Sequence, residues 1–327
     1  MREMIEVKKC SDAGQWDEIA LASGGHPLQL WGWGEVKARG NWQVERLFVH
    51  ENDAVIGQCQ VLYRTLPWPF KKLAYAPRGP VTEIGKREGA LNALAEYVKT
   101  QHGAVSLMVE PDWEDMPTIA NWRKSPNPIL MARTLILDLA LPEDDLFGRM
   151  TKKTRQYIRK SEKTGIEIQQ AKDLEDVSKC LAIYRETASR AGFSLHKNDY
   201  YEDIFNIMGD HSQLFMAVYE GRVVAFLWLA VSQETAFELY GGMNDEGQQL
   251  RANYFLKWTA IQRMKEWGVR RYDMNGLLND GVSKFKQGFA EHETMLVGSV
   301  EKPLSAWYPL WTTGLPAAKK LIRLIKK

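Results

Sequence analysis

Cysteine is scarce in this chain, with three (Cys10, Cys59 and Cys180) among 327 residues. Their number is odd and their spacing fits neither a zinc site nor a disulfide framework, which suits core thiols in a reducing compartment. No apolar run approaches the ~20 residues of a membrane span. The start, MREMIEVKKCSDAGQW, has no apolar signal core, so no export is expected and a cytoplasmic location is. The six histidines are scattered, and HExxH, GxSxG and Walker sequences are all missing. That absence argues against a zinc hydrolase, a nucleophile-elbow hydrolase and a P-loop enzyme. Neither a metal nor a cofactor is expected. Charge is also nearly absent in sum, at +2 overall.

Tryptophan, in contrast, is plentiful at twelve, which suggests stacking surfaces or aromatic-walled clefts without separating a ligand site from a core. One pattern occurs twice. VERLFVH-END-AVIGQCQVLYR and LFMAVY-EGR-VVAFLWLAV both alternate apolar and polar residues about a turn and read as hairpins. A third strand follows each, KKLAYAPRG and TAFELYGG, with Tyr75 and Tyr240 close to glycine. A long helix comes next. Leu91, Leu94 and Val98 mark one face of the first; Leu256, Ala260, Met264 and Trp267 mark that of the second. Each stops at a glycine, Gly103 or Gly268, and leads into a strand, AVSLMVEPD or VRRYDMNG. Helices precede each hairpin, at about 12–22 and 30–39 in the first half and in DLEDVSKCLAIYRETASRAG and NDYYEDIFNIMG in the second.

Helix, three antiparallel strands, helix, strand is the order of the acyl-CoA N-acetyltransferase (GNAT) fold. The expectation is therefore an α/β (α+β mixed-sheet) protein of two tandem GNAT-like units. The join is read near LALPEDDLFG, after the strand RTLILDLA, which gives 1–144 and 145–299. A GNAT domain that uses acetyl-CoA has a Gly-rich Q/R-x-x-G-x-G/A loop, whose backbone N–H groups cradle the pyrophosphate. APRGPVTEIGKREG and YGGMNDEGQQLRAN stand in its place and do not match.

The stretch MTKKTRQYIRKSEKTG (150–165) sets six positive charges against one negative. It reads as a helix capped by Thr151 and stopped at Gly165. Lys152, Arg155, Arg159 and Lys163 fall on one stripe, flanked by Lys153 and Lys160, while Met150, Tyr157 and Ile158 can face inward. A solvated face normally interleaves both signs. The spacing suits a phosphate backbone, and also an ordinary surface or another anion. The tail AAKKLIRLIKK sets Leu321, Ile322, Leu324 and Ile325 among five cations. It reads as an interfacial helix in peripheral contact with a membrane's inner surface, or as a cap on the first domain.

Several stretches, taken in order, resemble the Fem family of aminoacyltransferases, which build peptidoglycan interpeptide bridges from aminoacyl-tRNA. They are LQLWGWGEVKARGNW, YAPRGPV, VEPD, KKTRQYIRKSEKTGIEI, ELYGGMN, FLKWTAIQRMKEWGVRRYDMNG and SKFKQGF, running from about residue 28 to 290. No long helical hairpin follows the basic helix, so the chain resembles the compact members without the coiled-coil arm. The resemblance implies that 300–327 returns to complete the first domain. It also implies that the partners are aminoacyl-tRNA and a UDP-linked or lipid-linked muropeptide precursor, and that Lys152, Arg155, Arg159 and Lys163 contact tRNA.

The implied reaction joins a stem-peptide amine to an activated ester, so it needs proton removal and oxyanion stabilisation but no nucleophile triad. By resemblance Lys286 stands near the reacting ester, with Lys284 the weaker neighbour, and Glu110 orients or deprotonates the amine where the family has Asp. Lys37 meets a precursor phosphate; Trp31, Trp33 and Trp42 nearby wall a cleft or pack the first helix. His196, Tyr200 and Tyr240 line the precursor site. Two departures stand out. His196 occupies the place of a phosphate-pairing arginine, whose bidentate contact it cannot make, although Lys197 is at hand. Val105 replaces a cleft tyrosine. Two other readings remain open: an acyl-CoA-dependent N-acyltransferase acting on a saccharide or peptide amine, and a non-catalytic RNA- or membrane-surface module.

Overall fold

The computed structural model describes residues 5–278 and 280–314. The tail reading at 317–327 lies outside them. Two compact units divide the chain: one holds the segment up to Ser23, Lys37–Ala132 and the chain from Leu296 on; the other holds Gly24–Val36 and Arg133–Met295.

In the first unit, alternation produces the hairpin Gln43–Glu51 and Ala54–Thr65, with Asn52 in the left-handed region at its turn. The sheet continues through Lys72–Arg78 to Ser106–Pro111, which runs parallel to it from Ala74↔Leu107 to Arg78↔Pro111. Val300–Pro303 pairs antiparallel with Ser106–Pro111, so the late segment joins this sheet. Helix Arg87–His102 ends on Gly103 at φ 55°. It packs Leu91, Leu94 and Val98 on Leu47, Val49, Cys59 and Val61. Burying each such side chain stabilises the fold by about 1.5–3 kcal/mol. Val105 is fully buried here.

The second unit repeats the plan. The hairpin Ser212–Tyr219 and Arg222–Val231 turns on Glu220 and Gly221, both at positive φ, as a two-residue turn requires. Strand Thr235–Met243 follows, then helix Ala252–Glu266 and strand Arg271–Asp273. The helix buries Leu256, Ala260, Ile261 and Met264 against Ala225, Leu227 and Leu229. Trp267, expected on that face, is 48% exposed, because the helix stops at Glu266 and its cap leaves the apolar stripe. Helices Leu174–Ala191 and Asn198–Met208 pack aromatic residues on Phe226 and Trp228. Of the cysteines, Cys59 and Cys180 are buried and Cys10 is only partly so.

The join differs from the sequence reading. Strand Ile136–Asp138 pairs with Arg271–Asp273 of the second unit, so the boundary precedes it, at 132/133. Gly24–Val36 also belongs to the second unit, where the His26 ring lies 4.7 Å from Phe237 and Gly32 abuts the Ile207 carbonyl.

The basic helix spans Lys152–Glu162, capped by the Thr151 hydroxyl on the Thr154 amide. Thr154, Ile158 and Ser161 are its buried side chains. The Thr151 amide donates to the Gly288 carbonyl at 2.9 Å, and a Cβ on Gly288 would come within 2.2 Å of Thr154 Oγ1. Gly288→Ala is expected to cost about 1–3 kcal/mol, read as a lower urea midpoint at unchanged m-value. A neutral result would show that Thr154 yields freely.

Candidate functional site

In the second unit the parallel pairing of Thr235–Met243 with Arg271–Asp273 lasts three residues and ends at Phe237↔Asp273. The longer strand runs on to Met243, while the shorter turns away through Asn275 and Gly276, both left-handed at φ 51° and 52°. The gap so opened is bridged by polar groups. Asn275 Nδ2 donates to the Glu238 carbonyl at 2.9 Å, and the Asn275 amide donates to Asp273 Oδ1 at 2.8 Å. Lys286, on helix Gly281–Gln287, donates to the carbonyls of Asn275 and of Gly276, the latter at 3.1 Å. An ammonium has three donors, and among the described residues two of those of Lys286 have partners. Lys284 is exposed.

Below the gap lies a group that the sequence reading missed. Lys257 and Glu238, 3% and 7% exposed, form an ion pair of 2.6 Å. The Tyr272 hydroxyl donates to the same Glu238 oxygen at 2.9 Å, and Lys257 sits 5.0 Å from the Phe285 ring. Burial pulls the Lys257 ammonium below its ordinary range; Glu238 opposes this and the Lys286 charge adds to it. The signal was a lone charge in each of two apolar runs, AFELY and FLKWTAI.

A bulge in the same strand separates two neighbouring functions. Trp228 pairs with Tyr240 but Leu229 pairs with Glu238, so Leu239 is the extra residue. Residues i and i+2 of a regular strand share a face; a bulge re-aims the side chains beyond it. Glu238 accordingly meets helix Ala252–Glu266, while Tyr240 meets Tyr184 and Tyr201 of the other two helices, at ring distances of 5.6 and 5.2 Å. The Tyr240 hydroxyl donates to that of Tyr200 at 3.4 Å, and the exposed His196 ring lies 4.2 Å from the Tyr200 ring. The structure thus brings His196, Tyr200 and Tyr240 together. Burial pushes the Tyr200 phenol up to about 12 and the Tyr240 phenol well above its ordinary value, so both are neutral donors at pH 7. Lys197 is exposed just ahead of helix Asn198–Met208.

The basic stripe is only partly free. Lys152, Arg159 and Lys163 are exposed. Arg155 is half-buried and donates to the carbonyls of Gly148 and Met150, the latter at 2.7 Å, closing the end of helix Glu143–Gly148. Both bonds come from Nη1, so one of the three guanidinium nitrogens is tied to local structure. Tyr157 is half-buried beneath Arg251, whose guanidinium carbon lies 3.5 Å from the ring centre.

In the first unit, Glu110 is 1% exposed. Its carboxylate accepts from the Tyr75 hydroxyl, the Ser299 hydroxyl and the amides of Ile129 and Leu130, at 2.7 and 3.0 Å for the amides. Three of these donors meet Oε1 and only Tyr75 meets Oε2, so Oε1 is an anchor for the 129–130 turn and Ser299 while Oε2 keeps an acceptor position. Lys37 is half-buried in the last turn of helix Trp31–Ala38, and burial pushes its ammonium down to about 8. Trp33 is buried, and Trp42 packs on Tyr75 at 6.2 Å. Among the described residues no cluster of His, Cys, Asp and Glu fits a metal ion.

Removing one member of a buried ion pair strands its partner. Lys257→Met alone is expected to cost about 3–5 kcal/mol. Lys257→Met with Glu238→Leu should recover most of that loss in urea denaturation. Equal losses in the single and double variants would mean that the pair is not what Lys257 contributes.

The FemAB family model matches residues 20–125, 131–222 and 218–313. The Lipid II:glycine glycyltransferase of Staphylococcus aureus (strain USA300) is 24% identical over 278 residues, which are 80% of this chain and 62% of that protein. The chain thus spans less than two thirds of that relative's length. The crystal structure of FemX superposes with a TM-score of 0.81 at 19% identity, over 90% of this chain and 97% of FemX. A tandem GNAT protein from the clavulanic acid biosynthesis pathway gives 0.54 at 12% identity, over 92% and 99%. The fold is therefore the tandem GNAT-like one, and with its family match running through both units the chain belongs to the FemAB family.

Proposed function

We propose that this protein is an aminoacyltransferase that moves an amino acid from aminoacyl-tRNA to the stem-peptide amine of a UDP-linked or lipid-linked peptidoglycan precursor. The observation that carries the reading is Lys286, held by two carbonyls where the parallel strands part. Membership of the FemAB family supports it, as does the glycyltransferase activity in the relative's name.

In this scheme the stem-peptide nitrogen attacks the ester carbonyl of the charged tRNA. A C–N bond forms, the ester C–O bond breaks, and the ribose hydroxyl leaves with the proton that the amine sheds. Between these events negative charge builds on the carbonyl oxygen, and the Lys286 ammonium stabilises it in place of water. The two carbonyls fix its position beforehand, so little reorganisation accompanies the step. Glu110 orients or deprotonates the amine through Oε2, the oxygen that accepts from Tyr75 alone. Lys37 meets a precursor phosphate as a point charge. His196 stacks beside Tyr200, whose hydroxyl accepts from Tyr240, and the three line the precursor site. Lys152, Arg155, Arg159 and Lys163 neutralise tRNA phosphates, Arg155 while its Nη1 holds the Gly148 and Met150 carbonyls. The reaction belongs in the cytoplasm, at the inner face of the membrane when the acceptor is lipid-linked.

Mass spectrometry of wall muropeptides from cells with and without this protein tests the reading. The expected result is one or more bridge residues missing in its absence; identical muropeptides would refute it. Lys286→Met is expected to lower kcat by about 10²–10³-fold with little change in KM. Arg159→Glu with Lys163→Glu should flatten the salt dependence of tRNA binding by roughly two phosphate contacts while precursor KM stays put. Lys37 sets a pH signature. Its ammonium is charged below about 8 and is lost above it, so kcat/KM for the precursor should fall as pH passes 8. Lys37→Arg, charged throughout, should abolish that fall; an unchanged fall would exclude Lys37 as its source.

A further inference from the structure

The first unit carries an aromatic cluster that serves neither its core nor the site. Trp68 lies in the turn between strands Ala54–Thr65 and Lys72–Arg78 and is 88% exposed. Trp307 is 45% exposed, and its ring centre lies 6.3 Å from that of Trp68. Phe70, in the same turn, packs on Trp311 at 5.3 Å, and Leu310 beside it is 52% exposed. Single exposed apolar residues are ordinary. Here two segments more than 200 positions apart in sequence place three tryptophans, a phenylalanine and a leucine together at the surface. The turn itself is closed by its own backbone, from the Leu66 amide to the Lys71 carbonyl at 2.8 Å and from the Phe70 amide to the Pro67 carbonyl at 3.0 Å, so Trp68 is not needed to hold it.

Charge selects the partner. Residues 62–81 contain no acid and include Arg64, Lys71 and Lys72; residues 302–327 contain no acid and include six cations. Arg64 and Lys71 are exposed on either side of the turn. Tryptophan is the residue that settles at the headgroup level of a bilayer, with its apolar ring in and its N–H wet. Basic residues beside it are drawn to anionic lipid. We propose that Trp68, Phe70, Trp307, Leu310 and Trp311 form a docking surface for a bilayer of anionic phospholipid. In sequence the cluster is followed by the basic, Leu- and Ile-bearing stretch 317–327, and stable peripheral anchoring generally combines two such signals. The inference is independent of the transfer chemistry proposed above, since it concerns adsorption of the protein and not turnover.

The test is co-sedimentation of the full chain with vesicles of phosphatidylcholine, alone or mixed with phosphatidylglycerol, together with tryptophan emission. The wild type should bind the mixed vesicles with a blue-shifted emission and the neutral ones weakly. Trp68→Ser with Trp307→Ser should weaken partitioning onto mixed vesicles by about tenfold or more while the urea midpoint stays unchanged. Three results would overturn the proposal: no binding of the wild type to mixed vesicles; equal binding of the wild type and the double variant, which would leave adsorption to the tail; or a concentration-dependent dimer, seen by light scattering, that the double substitution dissolves, since the patch would then join two copies of this chain.

Discussion

One extra residue, Leu239, decides what the second unit can do. Without it Glu238 and Tyr240 would point the same way. With it, one strand delivers a carboxylate to the helix behind the sheet and a phenol to the aromatic cluster in front. Acid and phenol are thus two positions apart in sequence and separate in environment. The strand pairing ends at the same level, because Phe237↔Asp273 is the last parallel pair before the neighbour turns away. Bulge and divergence together turn a continuous sheet into an open edge with polar groups on hand.

An open edge inside a domain leaves backbone groups without partners, and each such group costs about 1–3 kcal/mol. The structure meets that cost with side chains. Asn275 takes the Glu238 carbonyl, and Lys286 takes the carbonyls of Asn275 and Gly276. The cation proposed to stabilise the reaction's oxyanion is therefore also the one that closes the opening. Lys257 stands behind it, neutralised by Glu238 and boxed by Phe285 and Phe289. The first unit differs at the equivalent place. Its parallel strands stay paired from Ala74↔Leu107 to Arg78↔Pro111, and Glu110 there accepts from four internal donors, three of them on Oε1. Two copies of one fold have diverged into an open member and a closed one.

Legibility in the sequence tracked the range of the interactions. Hairpins, helix stops at Gly103 and Gly268, the Thr151 cap and the twofold repeat are set by residues near in sequence, and all of them are legible there. The α/β tandem fold and the family resemblance came from that order. The join falls a strand earlier than the sequence suggests, because Ile136–Asp138 looks like the end of one unit until its partner, Arg271–Asp273, is known. The bulge leaves no trace in AFELYGG. Arg155 sits on the basic stripe by helical spacing, but its bonds to Gly148 and Met150 depend on how the preceding short helix ends. Glu110 was legible as a strand-end carboxylate and illegible as an anchor, since Ser299 lies 189 positions away. Lys257 and Glu238 were visible as misplaced charges, and only their pairing explains them.

The central claim is that an ester on tRNA is the acyl donor at the open edge of the second unit. The direct measurement is transfer of a radiolabelled amino acid from charged tRNA to a muropeptide precursor by the purified protein, with and without ribonuclease. Labelled precursor should form only with this protein and disappear when ribonuclease acts first. Transfer that survives ribonuclease, or that runs from acyl-CoA in place of charged tRNA, would contradict it.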